Sequence, residues 1–244
     1  MEPWSRRRAA CLAWLRQIDA DLLALQEVRD DQQAASVREA LPEHAFLGIR
    51  RGLAHEAECE MAPLLYRRSC FEELDHGWFW LSATPHLFGS TFHGACFARL
   101  AGWAALRHRA SGRMLTLFNT HFDNLTGDEC SVQRRSAALI RRRIDALGPD
   151  MPVLCCGDLN AACGSATWRI LQGEDAARLA DAAESVAGGL PGTYHGFDAG
   201  FQPEAIDAIL SSRHLQVRHA CTVRPDGPGF ASDHDAVVAT VAWR

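Results

Sequence analysis

The chain is predicted to fold as an α/β protein of layered sheets and helices, and three observations predict it. Short apolar runs of the kind that form buried strands alternate with stretches whose apolar residues recur every three or four positions. Two long β patterns, CFARLAGWAALRHR (96–109) and MLTLFNTHF (114–122), are joined by Ala110-Ser111-Gly112-Arg113, which reads as a hairpin turn. Helical stretches separate other strands, so hairpins and helical crossovers occur together, as layered α/β folds require. With 244 residues, 48% hydrophobic and 23% charged, the chain can bury a sizeable core. It shows no repeat, low-complexity tract or linker, so a single domain over 1–244 is expected.

The elements follow in order. Pro3 and Ser5 open a helix whose buried face is Ala9, Leu12, Leu15 and Ile18. LLALQE is a continuous apolar run, read as a buried strand ending at Glu27. Residues 31–41 read as a helix stopped by Pro42, 50–62 as a polar surface loop, and PLLYR (63–67) as a strand. After the 96–122 hairpin, Val132, Ser136, Leu139, Ile140, Arg143, Ile144 and Leu147 mark a helix closed by Gly148-Pro149. PVLCCGDLN (152–160) is a buried strand running into a polar loop, and 165–172 a short helix. AIDAIL (205–210), VRHACTV (217–223) and AVVATVAW (236–243) complete the strands.

Charge and cysteine content exclude several classes. A formal charge of -5 supplies no basic footprint for non-specific nucleic-acid binding, although a local basic groove stays open. Every base is arginine, so Schiff-base and P-loop lysine chemistry are both excluded. Nine cysteines include no CxxC pair, which argues against a zinc cage or a disulfide framework; they are read as small buried hydrophobes in a reducing cytoplasm. The first apolar stretch is interrupted by Arg16, Asp19 and Asp21, so neither a signal peptide nor a membrane span is expected.

Reactive groups gather at strand ends. Glu27 follows LLALQ, His121 and Asp123 follow LTLFNT, and Asp158 and Asn160 follow VLCCG. Asp207 opens an apolar strand, and Asp233-His234 precede AVVATV. A single such residue is usually a solvated cap, but five sites beside apolar strands match the rim where open α/β sheets collect chemistry. Carboxylates such as Glu27 suit a hard divalent ion. His121 and His234 can bind phosphate oxygens or move protons near neutral pH, and Asp207 can fix the tautomer of His234. Asp158 and Asn160 lie two apart, which on an extended segment puts both on one face, able to align a water. Such a set serves phosphoryl transfer, which needs positioning and charge stabilisation.

LLALQEV, FNTHFDN, CCGDLNA, AIDAIL and SDHDAVV, in this order, resemble the motifs of the endonuclease/exonuclease/phosphatase superfamily of deoxyribonuclease I-like hydrolases. The bacterial branch with FWLSETP, NTHxDH, GDFNA and TFHGF signatures is the nearest likeness; here they read FWLSATP (79–85), NTHFDN (119–124), GDLNA (157–161) and TYHGF (193–197). The resemblance implies a four-layer α-β-β-α sandwich and a Mg²⁺- or Mn²⁺-dependent hydrolase of phosphate esters, diesters before monoesters. It implies Glu27 as metal ligand with Asp233 at or near the metal, Asp158 orienting or deprotonating water, and Asn160 binding phosphate in support. It also implies His234 on the scissile phosphate oriented by Asp207, and His121 on phosphate or leaving group. His195 and Asp123 are assigned to substrate binding, with a structural histidine as the equal alternative for His195.

The sequence departs from that pattern at its start. Family members open with a strand carrying a metal-site asparagine, whereas EPWSRRR already resembles the stretch leading into the first helix. A first strand is therefore expected to be lacking, through a late start assignment or, less favoured, a truncated and weakened enzyme. Asn124 stands where histidine is frequent and Ala83 where a carboxylate is frequent. The expected partner is a phosphate-ester substrate, small molecule or nucleic acid, with no obligate protein partner. The alternatives are a nuclease on DNA or RNA, or a domain that only binds a phosphorylated ligand.

Overall fold

The computed structural model describes residues 3–53, 59–125, 131–198, 205–224 and 231–244. In chain order the elements are α1 (Trp4–Ile18), β1 (Leu22–Ala24), β2 (Val28–Arg29), α2 (Gln32–Ala40), β3 (His44–Leu47), β4 (Glu60–Met61), β5 (Leu64–Arg67), β6 (Phe71–Trp80), β7 (Leu100–His108), β8 (Met114–His121), α3 (Ser131–Asp145), β9 (Val153–Asp158), α4 (Ala166–Gln172), β10 (Ala180–Asp181), β11 (Asp207–Ser211), β12 (Leu215–Val223) and β13 (Ala236–Trp243). One sheet has six strands in the order β10-β11-β9-β8-β7-β6. Its pairings are antiparallel except β8 with β9, which run parallel with α3 as the crossover between them. The opposite side holds a three-stranded sheet, β1-β5-β3, and the hairpin β12-β13, with β2 and β4 as a short separate pair.

The four layers follow from strand alternation. In β8, Leu115 and Leu117 join Leu64 and Tyr66 of β5 in the core between the sheets, while Phe118 faces outward. In β9, Val153 and Cys155 join Phe118 in packing against Ile140 of α3 and Trp168 of α4, while Leu154 points into the inter-sheet core. Across the molecule, Leu23 and Leu65 pack outward against Leu15 of α1 and Val37 of α2. The order is thus helices, small sheet, large sheet, helices: the sandwich that the motifs imply.

Three local readings change. The β1 strand stops at Ala24, and Glu27 sits beyond it in a turn at φ 55°, so it is carried by a loop rather than a strand end. The segment 50–62 is not simply a surface loop: Arg51 and Met61 are buried, and β4 pairs with β2, although residues 54–58 lie outside the described residues. The ten-residue β6 and the short β3 pair into the sheets although neither has a clean apolar alternation in sequence. The cysteines also differ from expectation. Among the eight described, all are free, only Cys155 is buried, and Cys96 and Cys163 are exposed.

Both β1 and β13 pair on one side alone among the described residues, and both line one cavity of about 290 Å³. Its walls are Trp14 and Leu15 of α1, Leu22–Ala24, Ala236–Ala239, and Cys156 and Ile209 of the large sheet. The indole N–H groups of Trp4 and Trp14, which also border it, are buried without a hydrogen-bond partner.

Candidate active site

Strand register assembles the site. His121 at the end of β8 lies level with Asp158 at the end of β9, and Asp158 lies level with Asp207 at the start of β11. Three side chains from distant parts of the chain therefore form one row across the rim of the large sheet. Gly157 lets β8 and β9 close up there. It adopts φ 150°, and a Cβ at that position would stand 2.2 Å from the carbonyl oxygen of Thr120.

His234 completes the row from the β13 side. Its Nδ1 donates to Asp207 Oδ2 at 2.8 Å, and its Nε2 lies 3.9 Å from Asp158 Oδ2. Burial opposes charge on this imidazole, but the Asp207 hydrogen bond and the carboxylates of Asp207, Asp158 and Asp233 outweigh it and raise the pKa to about 9. Asp158 moves well above the usual carboxylate range, chiefly by burial and then by Asp207. The His234 charge, the Asn160 N–H and the Arg99 guanidinium hold it back only in part. His121 lies 3.5 Å from Asp158 Oδ2. Burial first, then the charges of Arg99, Arg51 and His234, push its pKa well below the usual value, so it is a neutral imidazole.

The other expected residues divide. Glu27 and Asp233 line the same cavity as Asp158, Asp207 and His234. Asp158, Asp207 and His234 offer ligand atoms within 4.8 Å of one another. Carboxylate oxygens with an imidazole are the donors a hard divalent ion accepts, so the residues fit such an ion. Because His234 favours its protonated form, the carboxylates of Asp158 and Asp207 are that group's better ligands; Glu27 and Asp233 lie outside it and add their carboxylates along the same lining. Asn160 is next to Asp158 for a different reason from the one the spacing gives. The strand ends at Asp158, Asn160 turns at φ 43°, and its amide N–H donates to Asp158 Oδ1 at 2.7 Å. Its side chain donates to the Phe122 carbonyl at 3.1 Å.

Asp123 is buried and ties down a loop, since its Oδ2 accepts from the amides of Cys96 and Phe97. His195 is 1% exposed and 3.6 Å from Asp235, beneath the Tyr194–His234 bridge and apart from the cavity lining. Both positions serve loop anchoring more directly than substrate contact.

Three residues of the site escaped sequence reasoning. Asn119 is fully buried, and its Nδ2 donates to the carbonyls of Leu25 and Pro63 at 2.7 and 2.9 Å. Its Oδ1 accepts from Gln26 Nε2 at 2.7 Å, so it clamps the turn that carries Glu27 to the large sheet. Its place in NTHFDN was the available signal. Arg51 and Arg99 are each only 6% exposed, and burial of two guanidiniums has no signature in an arginine-rich, lysine-free sequence.

A family model described as Endonuclease/Exonuclease/phosphatase family matches residues 1–234. The chain belongs to that family. Its members are phosphoesterases and nucleases. Among solved structures, an endonuclease/exonuclease/phosphatase from Bacteroides vulgatus is 28% identical, with TM-score 0.88, 99% of this chain and 92% of that chain covered. A mannosyl-6-phosphatase from Bacteroides thetaiotaomicron VPI-5482 is 24% identical, with TM-score 0.85 and coverages of 98% and 92%. The catalytic domain of human Nocturnin is 18% identical, with TM-score 0.73 and coverages of 99% and 88%. The last two share the fold with this endonuclease/exonuclease/phosphatase family member. No curated protein matches it in sequence. Among the described residues no helix is long and apolar enough to cross a membrane.

Proposed function

We propose that the chain is a divalent-metal-dependent hydrolase of phosphate esters in which a water attacks phosphorus. The reading rests on one observation: Asp158, Asp207 and His234 meet in a row, with an Asp207–His234 hydrogen bond of 2.8 Å, at a rim also lined by Glu27 and Asp233. Glu27 and Asp233 would hold Mg²⁺ or Mn²⁺, which when bound supplies positive charge to the phosphate oxygens. Asp158 orients the water and takes its proton, a task its raised pKa suits near neutral pH. Asp207 fixes the His234 ring so that Nε2–H faces the phosphate as a charged donor. Neutral His121 stands on the other side of Asp158, where it can donate to a phosphate oxygen or to the leaving group. The Asn160 amide keeps the Asp158 carboxylate oriented.

The test is hydrolysis of p-nitrophenyl phosphate and bis(p-nitrophenyl) phosphate with Mg²⁺ or Mn²⁺, beside EDTA and Asp158→Ala controls. Turnover of either ester that vanishes in both controls is the expected result. Turnover that survives EDTA or Asp158→Ala defeats the reading.

A further inference from the structure

Arg99 stands immediately before β7, where the β7–β8 register carries it to the same rim as His121. Its side chain is buried, yet Nε and Nη1 have no hydrogen-bond partner, and it makes no ion pair among the described residues. A buried guanidinium with two unserved N–H groups is costly unless something brings acceptors to it. The surroundings are built to hold it. Phe97 carries the Arg99 guanidinium 5.6 Å from its ring centroid and the Arg51 guanidinium at 5.2 Å, and the Phe97 amide is fixed by Asp123. Arg51 is itself balanced by Glu60 at 2.7 Å and clamped through its carbonyl by Trp80 Nε1 at 2.6 Å. Arg99 feels the carboxylates of Asp123, Glu27 and Glu60 through space, but none of them hydrogen-bonds its Nε or Nη1. Its charge is felt by His121 and Asp158, and Arg51 adds to it at His121.

The donor count selects the ligand. His234 Nε2 and His121 can serve the two non-bridging oxygens that a diester also presents. Two further N–H groups from Arg99 call for a third terminal oxygen, which a phosphomonoester presents and a diester does not. We propose that Arg99, seated on Phe97 beside Arg51, is the subsite for the third terminal oxygen of a dianionic phosphomonoester. The substrate class is then a phosphomonoester, in contrast to the diester preference that the motifs imply. This inference rests on the phosphate-ester reading of the same site, but it makes a binding claim that can be read without turnover.

The experiment titrates inorganic phosphate and dimethyl phosphate into the full chain with Mg²⁺ at pH 8, by calorimetry, for wild type, Arg99→Met and Arg99→Lys. Wild type should bind phosphate at least about tenfold more tightly than dimethyl phosphate, one charged hydrogen-bonded contact being worth about 10- to 100-fold. Arg99→Met should lose about that factor for phosphate and change less than about threefold for dimethyl phosphate, without a fall in melting temperature. Arg99→Lys should restore part of the preference. A wild type with no preference, or an Arg99→Met protein that keeps it, overturns the proposal. So does a loss shared equally by both ligands, which would mark Arg99 as structural. If neither chromogenic ester is hydrolysed while the preference and its loss in Arg99→Met persist, the hydrolase reading falls and the anion subsite stands.

Discussion

The two sheets of the sandwich are built to different standards. In the large sheet, β7, β8, β9 and β11 are each paired on both sides, and Ala101, Ala104, Leu106 and Leu210 are wholly excluded from solvent. Opposite it, β1 and β13 are each paired on one side among the described residues and border a shared cavity, and no residue of the eight in β13 reaches full burial. The proposed catalytic row is divided between them. His121, Asp158 and Asp207 stand on the closed sheet, while Glu27 and Asp233-His234 are delivered by turns beside β1 and β13. The proposed general base is thus anchored in the fully paired sheet, while His234 and the proposed metal ligands are carried beside the open one.

This division has consequences that measurement can break. The largest effect belongs to Asp158→Ala, expected to lower turnover by about 10²- to 10⁴-fold. Because burial raises this carboxylate's pKa, the native state holds the proton more tightly than the unfolded chain. The charged group therefore costs stability as pH rises, and the variant should melt no lower than wild type at pH 8. A variant that melts well below wild type would show that the row is structural.

Next, Leu106→Ala in the closed sheet should cost about 2–5 kcal/mol, and Val238→Ala on the open edge about 1 kcal/mol, read from urea unfolding. Equal costs would erase the contrast between the sheets. Asn119→Ala should cost about 1–3 kcal/mol and, under the proposed function, weaken Mg²⁺ binding, because it frees the Glu27 turn from the large sheet. Unchanged metal affinity would mean that the turn holds its shape unaided.

The smallest effect is a pH signature. His234 has a folded pKa of about 9, above the unfolded value of about 6.5. Its stabilisation is fully present below the unfolded value and is lost as pH rises through the folded one. In His234→Gln the fall of melting temperature between those limits should flatten. A parallel fall in both proteins would place the titration elsewhere.

Much of the site was legible because its chemistry coincides with strand ends. LTLFNTH, VLCCGD and AIDAIL each announce a strand and a reactive residue together, and β8, β9 and β11 do carry His121, Asp158 and Asp207 into one row. Asn160 stands beside Asp158 through a left-handed turn that returns its amide to that carboxylate, and such a turn has no periodicity to read. Glu27 reads as a strand end because LLAL runs apolar directly up to Gln26, while the turn depends on Asn119, 92 positions later. β6 stayed hidden because FEELDHGWFW crowds charges into its first half and lies at a sheet edge, where such residues can face water. Arg51 and Arg99 were lost in polar or strand-like text, because only tertiary packing shows that their charges are enclosed.

The close approach at Gly157 reaches into how the site comes into being. His121, Asp158 and Asp207 are level only in one alignment of β8, β9 and β11, and those strands are joined by long excursions of chain that must close before they pair. Were β9 to shift by one residue, its whole outward set would turn inward, and Cys156 or Asp158 would bring a Cβ to the spot where Gly157 meets the Thr120 carbonyl. The misaligned sheet therefore collides with itself at the very point where His121, Asp158 and Asp207 would fall out of line. During refolding, the return of enzymatic turnover would serve as a clock for correct strand alignment, running behind the recovery of helix signal.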